Sequence, residues 1–243
     1  MQFQTFDTYE ALSKAAAVAI AEEVRANPRA VLGLATGSTP LGLYRELIRL
    51  HREEGLSFAQ VKTFNLDEYY GLAPDHPQSY HHFMWENLFS HIDISKENIN
   101  IPSGTPDDVD AYCRAYDARI NEVGGIDLQI LGIGTNGHIG FNEPGEELTP
   151  RCHRVQLAEA TIEANARFFD NAADVPRTAI TMGMESILQA KKIMLLANGE
   201  AKAPVIGKLQ TSGITTQIPA TLLRLHRHVH VYVDAAAASQ LAR

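Results

Sequence analysis

Ala30-Val-Leu-Gly-Leu-Ala-Thr-Gly-Ser-Thr-Pro-Leu41 holds a strand, a turn and a helix start in one short stretch. Ala30–Ala35 is an apolar run suited to a strand buried on both faces. Thr36–Pro40 is a turn, and Leu41–Arg52 resumes at helical spacing through Leu41, Tyr44, Leu47 and Ile48. Thr39 is the expected N-cap and Pro40 the first helical residue, a position that suits proline. Gly37 lets the backbone turn sharply and approach a ligand. Free N–H groups and the helix dipole then form an anion site, to which the hydroxyls of Thr36, Ser38 and Thr39 add donors. Without a ligand the same stretch would be a well-capped turn. It is not a nucleoside-triphosphate loop, because no Gly-Lys-Ser/Thr follows.

The alternation continues in both directions. Asp7 is placed to cap a helix over Thr8–Ala26. Strands are expected at Val61–Leu66, Asn98–Ile101, Ile126–Ile133, Ala179–Met182, Ile193–Ala197 and Val229–Val233. Helices are expected at Gln78–Phe89, Asp107–Val123, Ala158–Phe169, Met184–Ala190, Glu200–Gln210, Pro219–Leu225 and Ala235–Ala242. Gly134–Pro150 is too rich in glycine and proline to be regular. The pattern predicts an α/β fold with an open, mostly parallel twisted sheet and helices on both faces. No repeat or linker divides it, so residues 1–243 are expected to form one domain.

Composition narrows the function. The chain has 243 residues, with 21 Lys and Arg against 29 Asp and Glu, a net charge of −8. An acidic chain without a basic run is poorly suited to nucleic acid. Cys113 and Cys152 have no metal-binding spacing and form no disulfide framework, which fits reduced thiols in a cytoplasmic protein. No apolar run is long enough to span a membrane, and Met1–Asp7 does not read as a signal peptide.

In such a sheet, ligands bind beyond the C-terminal ends of the strands. Besides Thr36–Thr39, three further exits are unusual. Phe64-Asn-Leu-Asp-Glu-Tyr-Tyr70 offers a general base in Asp67 or Glu68, and the sequence does not say which faces the site. A capping Asp would read the same way. Gly132-Ile-Gly-Thr-Asn-Gly137 matches a dinucleotide fingerprint, but Gly140, Pro144 and Gly145 forbid the helix that must follow. That stretch instead offers Asn136, His138 and Glu143 on a glycine-rich loop, an imidazole with an amide and a carboxylate to fix its tautomer. Lys202 sits where a helix dipole opposes a cation, so it is either a solvated lysine or an anion ligand. Arg167 reads likewise. His226, His228 and His230 alternate, but with no interleaved carboxylate they make a poor metal site.

These residues resemble one family. Gly33-Leu-Ala-Thr-Gly-Ser-Thr-Pro40, Phe64-Asn-Leu-Asp-Glu-Tyr69, Gly132-Ile-Gly-Thr-Asn-Gly-His-Ile-Gly-Phe-Asn-Glu-Pro144 and Asn165-Ala-Arg-Phe-Phe169 are similar to glucosamine-6-phosphate deaminases. The resemblance implies a Rossmann-like fold of the NagB/RpiA type. It also implies conversion of D-glucosamine 6-phosphate and water to D-fructose 6-phosphate and ammonia in amino-sugar catabolism. Asp67 would move the C2 proton to C1, and His138 would handle protons during ring opening. Glu143 and Asn136 would orient that histidine. Thr36, Gly37, Ser38, Thr39, Arg167 and Lys202 would bind substrate, with no metal or other cofactor. Some members carry Asp where this chain has Asn136. Related 6-phosphogluconolactonases and sugar-phosphate effector domains of transcription regulators are the alternatives; the latter need a DNA-binding segment, for which the sequence leaves no room before the first helix. Longer members are hexamers activated by N-acetylglucosamine 6-phosphate. In this chain Glu146 and Glu147 fall where that phosphate would bind, and the sequence ends soon after its last strand. The expectation is therefore a monomer with hyperbolic kinetics.

Overall fold

The computed structural model describes residues 1–169 and 171–242. The strands are β1 (Gln2–Phe6), β2 (Val31–Leu34), β3 (Lys62–Asn65), β4 (Asp67–Tyr69), β5 (Ile99–Asn100), β6 (Leu128–Leu131), β7 (His153–Gln156), β8 (Thr178–Thr181), β9 (Lys192–Ala197) and β10 (Val229–Asp234). The α-helices are α1 (Tyr9–Ala26), α2 (Leu41–Glu54), α3 (Tyr80–Asn87), α4 (Val109–Glu122), α5 (Glu159–Asn165), α6 (Met184–Leu188) and α7 (Ala203–Thr211).

Seven strands form one sheet in the order β1-β10-β9-β6-β2-β3-β5, with every neighbouring pair parallel. Short apolar runs such as Val31–Leu34 and Leu128–Leu131 are buried throughout, because helices cover both faces. On one face Leu12 and Ile20 of α1 and Leu43 and Leu47 of α2 meet Leu32, Leu34 and Ile130. On the other, Tyr116 and Ile120 of α4 and Val205 and Ile206 of α7 cover Phe64, Leu131 and Leu195. Each fully buried aliphatic of this kind contributes about 1.5–3 kcal/mol. Gln129 lies across Gly33 so closely that a Cβ there would fall 2.0 Å from its Oε1.

The expected architecture is present, with four local departures. A second sheet, β4-β8-β7, is antiparallel and was not foreseen. The chain bends at Leu66 as it passes from β3 in the main sheet to β4 in this one, and Thr181 of β8 supports the loop after β6 by accepting the Phe141 N–H. Residues 2–6 form β1 along β10, a strand not expected, and the first helix starts at Tyr9, one residue later than expected. Thr8, not Asp7, caps it, its Oγ1 accepting the Ala11 N–H at 3.1 Å. At α2 the cap is Pro40 rather than Thr39, because the Thr39 hydroxyl is engaged elsewhere by Asn198 at 2.8 Å. Residues 235–240 are successive turns rather than a helix. Asp234 takes the Ala237 N–H on its side chain, and three-residue bonds such as Ser239 N–H to Ala236 O interrupt the helical ladder.

Candidate active site

The strands β9, β6, β2 and β3 are adjacent, so their C-terminal ends open on one place. The chain leaves β2 toward β3 on one side and returns with β6 on the other, the crossover at which open α/β sheets bind ligands. A cleft of about 370 Å³ lies there. Thr36, Gly37, Ser38, Thr39, Asp67, His138, Arg167 and Lys202 all line it. Asn136 and Glu143 do not; they stand behind His138.

At one end is the loop after β2. Gly37 has φ +93°, and a side chain there would meet nothing but would force an L-residue into the left-handed region. The Leu41 and Gly42 N–H groups at the start of α2 are already engaged, so the donors turned to the cleft there belong to the loop side chains. The Leu41 N–H turns back to Ser38 O, and the Gly42 N–H goes to the Tyr9 hydroxyl at 2.7 Å. Tyr9 also donates to Thr39 O at 2.8 Å, so the first turn of α1 pins the loop. Arg167 reaches across to Ser38 Oγ at 3.2 Å. Lys202 follows Gly199, whose N–H is held by the Asp234 carboxylate, and donates to Ile133 O at 2.6 Å. Burial, and then the charge of Arg167, lower the Lys202 pKa. Two cations held this close favour a bound dianion.

At the other end are Asp67 and His138. Asp67 is 6% exposed, and burial, reinforced by Glu68, pushes its pKa up to about 8. Glu68 is turned the other way and accepts the backbone N–H groups of Tyr69, Tyr80 and His81 at 2.8–2.9 Å. It binds β4 to the start of α3, which separates the two carboxylates that the sequence left ambiguous. The His138 ring packs on Gly134, where a Cβ would lie 2.4 Å from its Cε1. The third position of the apparent dinucleotide fingerprint therefore makes room for an imidazole.

His138 Nδ1 lies 3.2 Å from Glu143 Oε2. The Asn136 amide donates to that same oxygen at 2.7 Å, and the His138 backbone N–H bonds Asn136 Oδ1. Asn136 thus acts on the carboxylate rather than on the ring. Burial alone would raise Glu143, but the His138 hydrogen bond and charge, with Thr161 and Asn136, hold it below the ordinary carboxylate range. An Nδ1–H facing Glu143 directs Nε2 into the cleft.

Sequence reasoning missed three contributors. Tyr9 sits on an unremarkable helical turn. Tyr80 forms a wall of the cleft, stacked on Phe141 at 6.0 Å. Thr161 donates to Glu143 Oε1 at 2.6 Å. An isolated Tyr or Thr in a helix gives no local signal. Among the described residues no cluster of His, Cys, Asp and Glu is arranged to hold a metal.

The family model described as glucosamine-6-phosphate isomerases/6-phosphogluconolactonase matches residues 5–232. A glucosamine-6-phosphate deaminase of Clostridium perfringens (strain ATCC 13124) is 57% identical over 233 residues, 96% of each chain. One from Clostridium botulinum (strain Langeland) is 52% identical over 241 residues, 99% of each. A solved monomeric glucosamine-6-phosphate deaminase superposes with TM-score 0.97 and 48% identity, over 99% of this chain and 100% of that one. The 6-phosphogluconolactonase of Leishmania guyanensis has TM-score 0.77 at 20% identity, over 100% of this chain and 99% of that one, a likeness of fold alone.

Proposed function

The chain belongs to the glucosamine-6-phosphate isomerase/6-phosphogluconolactonase family, and we infer that within it this protein is a glucosamine-6-phosphate deaminase. It converts D-glucosamine 6-phosphate and water to D-fructose 6-phosphate and ammonia. Identity above 50% to deaminases over nearly the whole chain separates it from the lactonases, which share only the fold.

The observation that carries the chemistry is a buried carboxylate, Asp67, in one cleft with His138, the Thr36–Thr39 loop, Arg167 and Lys202. The Thr36–Thr39 loop, Arg167 and Lys202 hold the phosphate and thereby fix the sugar. His138, through Nε2, moves a proton from the C1 hydroxyl toward the ring oxygen, opening the pyranose. Asp67 takes the C2 proton while the C1 carbonyl oxygen gains one from the substrate's ammonium group, giving an enolamine, and Asp67 then returns its proton to C1. The resulting C2 imine adds water and expels ammonia, leaving the ketone. Glu143 is a positioning residue for His138, and Asn136 a positioning residue for Glu143. Two proton-transfer groups suffice for these steps, so the scheme uses no metal and no organic cofactor.

The monomeric structure similar at TM-score 0.97 supports a monomer for this chain. Among the described residues no helix is long and apolar enough to cross a membrane. A phosphorylated sugar substrate and two free cysteines support action in the cytoplasm, by residues 1–243 as one domain. Release of ammonia from glucosamine 6-phosphate tests the reading. Tight binding with no ammonia would favour an effector domain, and hydrolysis of 6-phosphogluconolactone in its place would favour the lactonase.

A further inference from the structure

We propose that Thr39 and Asn198 form a latch across the phosphate end of the cleft, so that Thr39 serves that end as a positioning residue and not as a phosphate ligand. This role rests on the deaminase reading above, while its binding test is independent of turnover.

The Thr39 hydroxyl donates to Asn198 Oδ1 at 2.8 Å. A hydroxyl carries one proton, and here that proton is committed. What remains on Thr39 Oγ1 is accepting capacity, and a phosphate monoester dianion has no proton to give it. Ser38 differs. Its Oγ accepts from Arg167 at 3.2 Å, which leaves its own proton for an anion. The carbonyl of Thr39 is engaged as well, accepting the Tyr9 hydroxyl at 2.8 Å. Thr39 lines the cleft, yet it is held at main chain and side chain by two distant elements. Thr36 and Ser38 are left as the hydroxyl donors of the loop.

The place of Asn198 in the sheet gives this bond its consequence. Asn198 directly follows β9, and Thr39 lies in the loop that follows β2. These two strands do not pair, because β6 lies between them. The latch therefore crosses the end of β6 and joins two loops that share no backbone ladder. Asn198 leads into Gly199, whose N–H both Asp234 oxygens accept at 3.0 Å. Gly199 O in turn accepts the Lys202 N–H at 3.1 Å, and Lys202 Nζ reaches back to Ile133 O beyond β6. Asn198 thus belongs to the segment that carries the ammonium group, and Thr39 to the loop that carries the hydroxyls. Their hydrogen bond sets how far those hydroxyls stand from Lys202, and a phosphate must reach both at once.

The experiment is calorimetry on the full chain, with inorganic phosphate and fructose 6-phosphate as probes. Thr39→Val and Asn198→Ala should each weaken both probes by the same factor, about three- to tenfold, the worth of one hydrogen bond. The double variant should bind no worse than either single variant, because both remove the same interaction. Thr39→Ser keeps the hydroxyl and should bind within about twofold of the unsubstituted protein. With glucosamine 6-phosphate the loss should fall on KM, with kcat changed less than about twofold. Thr39→Ala replaces the valine variant if the latter does not fold. A Thr39 variant that loses affinity while Asn198→Ala keeps it makes Thr39 a direct ligand and overturns the proposal. So do losses that multiply in the double variant, and folded single variants that both bind phosphate normally. Phosphate binding without ammonia release removes the deaminase reading alone, and the comparison of single and double variants still decides the latch. An unsubstituted protein that binds neither probe overturns both.

Discussion

Asp67 faces the cleft, whereas Glu68, its neighbour in β4, faces away and accepts three backbone N–H groups from Tyr69, Tyr80 and His81. One carboxylate is committed to joining β4 to α3, and the other lines the cleft. The two positions should therefore separate cleanly on substitution.

Asp67→Asn should keep substrate binding and lose about 10²–10⁴-fold in turnover, the usual effect of removing a positioned general base. Glu68→Gln should instead lower stability by about 1–3 kcal/mol, because buried N–H groups lose a charged acceptor. Ammonia release, C2–H exchange into solvent and thermal unfolding measure these effects. Near-normal exchange in Asp67→Asn would remove it as the base.

The pH dependence follows from the same pair. Burial raises Asp67 to about 8 and Glu68 to about 7, against ordinary values of 3.8 and 4.5. Both hold a proton more tightly folded than unfolded. Their contribution to stability is complete below about pH 4 and is lost as pH rises through about 7–8. Glu143 is shifted downward, so its contribution is present at neutral pH and lost only in acid. Denaturant titrations at pH 5 and pH 8.5 should show a fall that Asp67→Asn reduces. As a base Asp67 must be ionised, so kcat/KM should rise with pH along a limb with an apparent pKa near 8 that belongs to the coupled pair.

Lys202→Ala should weaken fructose 6-phosphate and inorganic phosphate by about one to two decades, the worth of one charge-assisted hydrogen bond. Unphosphorylated glucosamine should be unaffected. Equal weakening of both sugars, measured by calorimetry or inhibition, would make Lys202 a structural residue.

Dialysis against a strong chelator should leave ammonia release intact, since proton transfer through Asp67 and His138 requires no metal. Activity lost on chelation and restored by one divalent ion would contradict the scheme.

Light scattering should give a mass near 26.7 kDa, and substrate titration should be hyperbolic with or without N-acetylglucosamine 6-phosphate. A hexamer whose sigmoidal curve that compound straightens would overturn the monomer.

The sequence made the four central strand exits legible because each carries residues out of keeping with its strand: Gly37 among hydroxyls, the paired carboxylates Asp67 and Glu68, Gly132–Gly137, and Asn198-Gly199. It also made the alternation of layers legible, since buried parallel strands are short apolar runs. The small sheet was hidden. β4 is three residues long and follows β3 after a single bend residue, Leu66, and β7 reads His-Arg-Val-Gln, polar at both exposed positions. The Thr39 cap failed because a partner 159 residues away, Asn198, competes for the hydroxyl. Tyr9 and Thr161 were invisible for the same reason: their roles come from distant contacts, not from local pattern.

The pairing of β1 with β10 bears on how the molecule is made. Gln2 lies beside His230 and Phe6 beside Asp234, so the first strand synthesised is matched to the last. On the ribosome β1 has no partner in the sheet until β10 has emerged, and the main sheet cannot be completed strand by strand in the order of synthesis. Contacts so distant in sequence form late and slowly. The waiting strand is correspondingly inoffensive: Gln2, Gln4 and Thr5 are exposed even in the finished sheet, leaving little apolar surface for a neighbouring nascent chain to capture.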